Sequence, residues 1–148
     1  MSIYLRPADR EDAQIILEWR NDKQTRENSF SKDVIDSDTH LKWFEAKLAD
    51  ADCFLYILMD DDERVGQIRI DRVNDIGEVS YMIAPAKRGK GYGKQILKLA
   101  AGQMEGKVRA LVGLVESTNE ASKKCFASDG YAEFTGGETV CYVKSLTD

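Results

Sequence analysis

Apolar residues in the first part of the chain recur first at strand spacing and then at helix spacing. Residues Ile3–Pro7 alternate apolar and polar side chains, which predicts a first strand that the proline ends. Asp9 and Asp12 stand three positions apart, the spacing of an N-terminal capping box. The apolar residues that follow recur at helical spacing, so we expect a helix over residues 10–21.

A polar stretch without clear periodicity covers residues 22–37. A segment of this length inside a small domain is often functional. Ser37 or Asp38 is expected to cap a second helix, whose apolar positions fall at i, i+3 and i+7.

The remainder of the chain predicts six further strands and two helices. The strands are expected at residues 53–59, 64–71, 76–83, 108–115, 132–135 and 139–144, and the helices at 94–105 and 119–128. The segment from 76 to 115 reads strand–helix–strand, so its two strands are expected to be parallel. The complete order predicts one mixed α/β (α+β) domain over residues 1–148.

Composition narrows the function classes. Of the 148 residues, 32% are charged and 43% hydrophobic, and the formal net charge is −5. An acidic domain is a poor general nucleic-acid binder, and no apolar run is long enough to span a membrane, so neither partner is expected. One histidine and three widely spaced cysteines argue against a metal site and a disulfide framework. Without a signal-like N-terminus, we expect a cytoplasmic protein.

The most informative segment is Arg88-Gly89-Lys90-Gly91-Tyr92-Gly93, between a predicted strand and a predicted helix. Glycines let the backbone curl with its N–H groups inward, and the helix N-terminus and basic side chains add positive charge. The segment therefore predicts a site for phosphate or pyrophosphate. Its glycine spacing matches neither the P-loop nor the dinucleotide-binding fingerprint.

This segment resembles the acetyl-CoA pyrophosphate loop of the GNAT family of N-acetyltransferases, on the pattern Arg88-x-x-Gly91-x-Gly93. The predicted element order is similar to that fold over nearly the whole chain. Asn119 matches an asparagine that binds the coenzyme A arm, and Gly130-Tyr131 matches the glycine–aromatic pair that follows the same helix.

The resemblance implies a mostly antiparallel sheet of about six to seven strands with a central splayed parallel pair, flanked by about four helices. It implies acetyl-CoA as co-substrate and no metal. The pantetheine arm is expected between the splayed strands. The residues expected to bind acetyl-CoA are Met82, Ile83, Arg88, Gly89, Lys90, Gly91, Tyr92, Gly93, Lys94, Asn119, Ser122 and Phe126.

Acetyl transfer to an amine needs a base, an oxyanion donor and a route for the thiolate to leave. Glu78 matches a position where some relatives carry a glutamate base, and His40 is the alternative. A surface glutamate paired with a neighbouring arginine remains open for Glu78. The family commonly has a tyrosine acid where this chain has Phe126, so Tyr81 is one expected substitute, with Ser122 and Tyr131 as others.

The acceptor is expected against the first two helices and the segment between them, at Arg20, Asn21, Phe30 and Trp43. These features are similar to a branch of the family that acetylates nucleotide-linked amino sugars. We therefore expect a small-molecule amine as acceptor. A protein N-terminus, a ribosomal protein and a non-catalytic acyl-CoA-binding module remain alternatives, and the resemblance also allows a homodimer.

Overall fold

The computed structural model describes residues 2–147 and contains one seven-stranded sheet. Its strands are β1 (Ile3–Pro7), β2 (Cys53–Asp60), β3 (Glu63–Val73), β4 (Ile76–Ile83), β5 (Ala110–Glu116), β6 (Ala132–Gly136) and β7 (Thr139–Ser145). They lie side by side in the order β1-β2-β3-β4-β5-β7-β6. Only β4 and β5 pair in parallel among the described strands, as the strand–helix–strand pattern predicts.

Five α-helices accompany the sheet within the described residues. They are α1 (Ala13–Asn21), α2 (Lys23–Glu27), α3 (Ser37–Ala49), α4 (Tyr92–Met104) and α5 (Glu120–Ser128). The sequence predicted about four, and α2 is the one it missed. This five-residue helix has no buried side chain, so it leaves no apolar periodicity to detect.

The start of α1 is fixed by a buried carboxylate. Asp9 and Asp12 form the expected capping box around a 3₁₀ turn that precedes the helix. The fully buried side chain of Asp12 accepts hydrogen bonds from Arg6 at 2.7 and 2.9 Å and from Arg64 at 2.8 Å. For α3 the cap is Asp36, one residue before the earlier of the two predicted caps, with its carboxylate bonded to the Thr39 amide.

Each face of the sheet carries its own apolar core. On one face, α4 and α5 bury Leu97 and Phe126 against strand residues such as Ile68 and Leu111. On the other face, α1 and α3 contribute a second cluster against β2, in which Trp19 and Phe44 are buried as core residues. The first half of β4 is covered on the α4–α5 face alone, because Glu78 and Ser80, which point to the α1–α3 face, are exposed.

The parallel pair separates halfway along its length. β4 pairs with β5 from Ile76 to Val79, opposite Ala110 to Gly113, and the pairing stops there although both strands continue. Phe126 packs so closely on Gly113 that a Cβ at this glycine would lie 2.4 Å from its ring. The expected splay is confirmed, and it opens a gap beside the second half of β4.

Candidate functional site

The loop between β4 and α4 exposes an uncapped helix N-terminus. Gly89 has φ +76° and Gly91 has φ +85°, both in the left-handed region that glycine adopts without strain. Gly91 is the N-cap of α4 and supplies no side-chain hydrogen bond to its first turn. The helix begins at Tyr92, two residues earlier than predicted, so its first amide groups lie inside the glycine segment.

A cleft of about 510 Å³ lies between this loop, the second half of β4 and the start of α5. Most residues predicted to bind acetyl-CoA line it together. They are Met82, Ile83, Arg88, Gly89, Gly91, Tyr92, Gly93, Lys94, Asn119 and Ser122. We call this space the donor cleft. The uncapped amide groups at the start of α4 suit a pyrophosphate, because a helix N-terminus favours negative charge.

Two predicted cofactor residues lie outside the donor cleft. Lys90 is exposed on the loop and does not line it. Phe126 is 2% exposed and stacks on Tyr142 at a centroid distance of 5.1 Å, so its assignment to the cleft is wrong. On α5 the neighbouring residue Cys125 lines the cleft instead, since consecutive helix positions point about 100° apart.

Arg88 is tied to the α1–α2 connection. Its guanidinium donates to the Asp22 carboxylate at 2.8 Å, to the Thr25 hydroxyl at 2.7 Å and to the Gln24 side chain at 3.1 Å. Hydrogen bonding to Arg88 is the largest cause that lowers the pKa of Asp22. Part of the positive charge expected at the loop is therefore already paired, and the pairing fixes the loop against Thr25.

The open edge of β4 presents backbone donors to the gap. The Ala84 amide donates to the Val65 carbonyl at 2.9 Å, so the peptide groups of Ala84 point toward β3. Peptide groups along a strand alternate in direction. The amides of Tyr81 and Ile83 therefore point away from β3, into the gap where β5 has separated.

Tyr81 lies at the wall of the donor cleft, with its hydroxyl 3.0 Å from the Ser122 hydroxyl. Burial is the main cause that raises the pKa of Tyr81, so this phenol keeps its proton at neutral pH. Tyr131, the second phenol among the three candidate acids, is 6% exposed, and its buried hydroxyl has no hydrogen-bond partner among residues 2–147. Of these two phenols, only Tyr81 lines the cleft.

A second cavity, of about 200 Å³, lies on the α1–α3 face of the sheet. We call it the acceptor cavity. It brings together Arg20 and Trp43, as predicted, with residues that the sequence prediction did not name individually as acceptor-binding. These are Thr25, Ser29, Ser31, Asp33, Ile35, Gln67, Arg69, Ser80 and Met82. Tyr81 also lines it, so the two spaces meet at four shared residues: Thr25, Ser29, Tyr81 and Met82.

Two predicted acceptor residues lie outside this cavity. The Asn21 side chain donates to the Ile35 carbonyl and accepts from the Ile35 amide, each at 2.8 Å, so it clamps the α2–α3 loop. Phe30 is 59% exposed, and it is the flanking Ser29 and Ser31 that line the cavity. Both assignments are corrected: the Asn21 side chain, at the end of α1, is used by the loop backbone, and the loop turns Phe30 outward while its neighbours face the cavity.

His40 is buried behind the cavity rather than facing it. It is 2% exposed, with Nε2 2.8 Å from the Ala13 carbonyl oxygen and Nδ1 3.2 Å from a guanidinium nitrogen of Arg20. A carbonyl only accepts and a guanidinium only donates, so Nε2 carries the proton. Burial first, and the Arg20 charge in addition, lower the pKa of His40. Both nitrogens are occupied, which suits a residue that positions Arg20 rather than a base.

Glu78 occupies the closed end of the parallel pair. It is exposed, faces Asp71 across the β3–β4 ladder, and lines neither the donor cleft nor the acceptor cavity. Arg69 pairs with Asp71 and Arg72 with Asp52, so neither is bonded to Glu78. Four residues, or roughly 13 Å of strand, separate it from Met82. Its catalytic role stays a prediction.

Among residues 2–147, no group of three histidine, cysteine, aspartate or glutamate side chains is arranged to hold a metal ion. No helix in the same range has the length and apolar character needed to cross a membrane.

The family model of the "Acetyltransferase (GNAT) domain" matches residues 2–131. No curated protein matches the chain.

Solved structures of low sequence identity share the fold. The spermidine N-acetyltransferase of Vibrio cholerae, in complex with coenzyme A and spermine, is 16% identical over 97% of this chain and 95% of its own, with a TM-score of 0.87. The aminoglycoside acetyltransferase AAC(6')-Ib with coenzyme A is 16% identical over 97% and 95%, with a TM-score of 0.83. RimL, a ribosomal L7/L12 α-N-protein acetyltransferase, is 14% identical over 99% and 95%, with a TM-score of 0.86.

Proposed function

Because this chain belongs to the GNAT family of acetyltransferases, we propose that it transfers an acetyl group from acetyl-CoA to the primary amine of a small molecule. The observation that carries the acceptor side of this proposal is the junction of two spaces. The donor cleft and the acceptor cavity open from opposite sides onto the same stretch of β4, at Tyr81 and Met82. Two substrates bound there together would meet directly.

The chemistry is direct attack within a ternary complex. The amine nitrogen forms a bond to the acetyl carbon, the carbon–sulfur bond breaks, and coenzyme A leaves as a thiolate that takes a proton. The oxyanion formed on the way needs a donor. Two backbone amides at the junction, those of Met82 and Ile83, are candidates, and that of Ile83 suits the role better because it points into the gap beside β4. The open edge also suits the amide groups of a pantetheine arm, which pair as an added strand would.

An alkylamine has a pKa near 10, so it must lose a proton to attack at neutral pH. Glu78 remains the proposed base, because it lies on the same strand face as Ser80 and Met82, which line the acceptor cavity. Its distance from Met82 requires water between its carboxylate and the amine. Asp33 is the competing carboxylate, since it lines the cavity from the α2–α3 loop.

Tyr81 is the proposed acid that supports the leaving thiolate. It is protonated, lies at the junction, and has Ser122 as a hydrogen-bond partner that orients its hydroxyl. Phe126 cannot fill this role, because it is buried in the core and has no proton to donate.

The acceptor proposed in most detail is a nucleotide-linked amino sugar, the class that the sequence resemblance indicates. Trp43 offers a ring against which a sugar packs, and Arg20 offers a partner for phosphate. Spermidine, aminoglycoside and ribosomal-protein acetyltransferases share the fold, so their substrates belong in the same test. We also propose that the enzyme acts in the cytoplasm, where its three cysteines, free in the structure, stay reduced.

The test measures release of coenzyme A thiol from acetyl-CoA against amino-sugar nucleotides, polyamines, aminoglycosides and N-terminal peptides. We expect turnover with a small-molecule amine and intersecting initial-velocity lines, the pattern of a ternary complex. Parallel lines would overturn direct attack. Turnover confined to the peptides would favour a protein acceptor. Tight binding of acetyl-CoA without turnover of any amine would indicate that the protein is a non-catalytic acyl-CoA-binding module.

The same assay separates the two carboxylates. We expect Glu78→Gln to lower kcat by about 10²–10⁴-fold, because the amide cannot take a proton from the amine. Asp33→Asn is the matched variant, and it should leave kcat within a few-fold of wild type. The opposite result would assign the base to Asp33.

A further inference from the structure

Two guanidinium groups and one indole ring lie together in the wall of the acceptor cavity. The guanidinium carbon of Arg20 lies 4.4 Å from the Trp43 ring centroid, and that of Arg69 lies 5.2 Å from it. All three side chains line the cavity. Two like charges are thus held against one ring, facing the space that the proposed function assigns to the acceptor.

The two arginines differ in how their charge is balanced. Arg69 donates to Asp71 at 2.8 Å, and Asp71 also accepts from Lys47 at 2.8 Å. Arg20 makes no ion pair with a carboxylate among residues 2–147, and its one side-chain hydrogen bond there goes to neutral His40. A half-buried guanidinium without a counter-charge is costly, because burial disfavours its charged form. Burial, and the nearby charge of Arg69, lower the pKa of Arg20, although it stays charged at neutral pH.

His40 holds Arg20 in a fixed direction. Its protonated Nε2 is bonded to the Ala13 carbonyl, which leaves Nδ1 to accept one N–H of the guanidinium. The remaining N–H groups of Arg20 have no described partner and are free to bind a ligand. A planar fork of such donors matches the two oxygens of a carboxylate or phosphate.

The carboxylates near the cavity do not fill this position. Asp33 lines the cavity from the exposed loop and pairs with neither arginine, and Glu78 lies beyond its lining. Arg69 and Ser80 are directly opposite across the ladder, and so are Gln67 and Met82. The Arg69 position is therefore roughly 7 Å of strand away from the junction at Met82, a separation that a small molecule spans.

We infer that the acceptor carries an anionic group, a carboxylate or a phosphate, a few bonds from its reactive amine, and that Arg20 with Arg69 binds this group. The inference rests on the proposed function, since it names the class of amine that the same cavity selects. It predicts discrimination against amines whose other groups are only cationic or neutral. His40 acts as a positioning residue, through Arg20.

The test compares amines in matched pairs. O-phosphoethanolamine is compared with ethanolamine, and 4-aminobutyrate with 4-aminobutyramide, by kcat/KM for coenzyme A release. The first pair reports on phosphate and the second on carboxylate. We expect wild type to favour the anionic member of one pair by roughly 10- to 100-fold, the scale of a hydrogen bond to a charged group. Arg20→Met should abolish that preference, and Arg20→Lys should retain part of it.

The control variant is Arg10→Met. Arg10 forms an exposed ion pair with Glu45 and lines neither space, so the same loss of charge there should leave the preference intact. Circular dichroism and acetyl-CoA affinity establish that Arg20→Met is folded. Equal kcat/KM for both members of each pair, or an equal loss for all amines in Arg20→Met, would overturn the inference.

A binding experiment separates this inference from the proposed function. Inorganic phosphate and acetate are titrated against chloride at constant ionic strength, with tryptophan fluorescence as the signal, because Arg20 contacts Trp43. We expect one of the two anions to change the fluorescence of wild type but not of Arg20→Met. Anion binding without turnover of any amine would reject the proposed function and keep the anion site. Turnover without anion binding or anion preference would reject the anion site alone.

Discussion

The donor cleft and the acceptor cavity lie on either side of β4 and are built in different ways. The donor cleft is formed largely by backbone: an uncapped helix N-terminus, two glycines with positive φ, and the open edge of a strand. The acceptor cavity is formed by side chains from α1, α3, β3, β4 and the connection between α1 and α3. A site formed by backbone suits a ligand that a whole family shares, because it depends little on which side chains are present. A site formed by side chains can change its specificity when those side chains are substituted.

Tyr81 belongs to both spaces, and its loss should have the largest effect. We expect Tyr81→Phe to lower kcat by about 10²–10⁴-fold with little change in the KM for acetyl-CoA, because the phenol acts on the leaving thiolate. Steady-state kinetics with acetyl-CoA as the varied substrate check this, since they separate a fall in kcat from a change in KM. Tyr131→Phe is the control: its hydroxyl is buried without a described partner, so kcat should not fall. Equal kcat for Tyr81→Phe and wild type would remove Tyr81 from the chemistry.

A methyl group in the donor cleft should affect the donor side alone. A Cβ on Gly93 would lie 2.7 Å from the Cys125 sulfur, so Gly93→Ala forces that side chain to move. We expect acetyl-CoA to bind about 10-fold more weakly, by calorimetry, while the acceptor KM stays unchanged. Adding Cys125→Ala should restore binding, a coupling that neighbouring residues show.

Gly102 provides a matched control on the same helix. A Cβ there meets nothing within 4 Å. Gly102→Ala should therefore stabilise α4 by roughly 0.5–1 kcal/mol and leave acetyl-CoA binding unchanged. If both variants bound acetyl-CoA more weakly, the loss would be a general effect of substitutions in α4 and not a specific effect of the contact between Gly93 and Cys125.

Lowering the pH should reveal the role of His40, which lies behind the acceptor cavity. The pKa of His40 is lowered from 6.5 in the folded protein, so the unfolded chain binds more protons below that pH. The stability that neutral His40 contributes is complete above pH 6.5 and is lost as the pH falls towards the folded pKa. Compared with His40→Gln, wild type should lose unfolding free energy at up to about 1.4 kcal/mol per pH unit. Chemical denaturation at pH 7 and pH 5 measures this.

The acceptor KM gives an independent check on His40. Protonated His40 has no lone pair for Arg20, so we expect the KM of wild type to rise in the same pH interval. In His40→Gln the KM should not follow this titration. If the acceptor KM changed with pH in the same way in wild type and in His40→Gln, the conclusion that neutral His40 accepts a hydrogen bond from Arg20 would be wrong.

The smallest expected effect concerns the ion pair that joins the two regions. Arg88 of the donor loop pairs with Asp22 at 2.8 Å and with Thr25, which lines both spaces. The pair is partly exposed, so Asp22→Asn should cost under about 1 kcal/mol of stability and raise both KM values only a few-fold. Asp52→Asn, which breaks the pair with Arg72 at another place on the sheet, should change neither KM.

The donor cleft could be predicted because its residues are close in sequence. The glycines and cations of the loop are consecutive, and a strand before them and a helix after them fix their geometry. The predicted bounds of β4 agree with the structure at both ends. The error at Phe126 arose on α5, where a one-residue difference changes the direction of a side chain by about 100°.

The acceptor cavity was predicted only in part because its residues are distant in sequence. Arg69 and Gln67 share a strand face with each other, but only the pairing of β3 with β4 places them beside Ser80 and Met82. The alternation of side chains along β3, which puts Gln67 and Arg69 on one face, was the sequence signal that could have indicated them. The burial of His40 behind Arg20 depends on the packing of α3 against α1, which no local pattern records.

The central claim is that the thioester and the amine meet where the two spaces join. A crystal structure of the protein with coenzyme A and the preferred amine tests it most directly. The account predicts the sulfur in the gap between β4 and β5, beside the Tyr81 hydroxyl, with the amine nitrogen on the Arg20 side within about 3–4 Å of the position of the acetyl carbon. A sulfur at the closed end of the parallel pair, or an amine on the α4–α5 face, would contradict it.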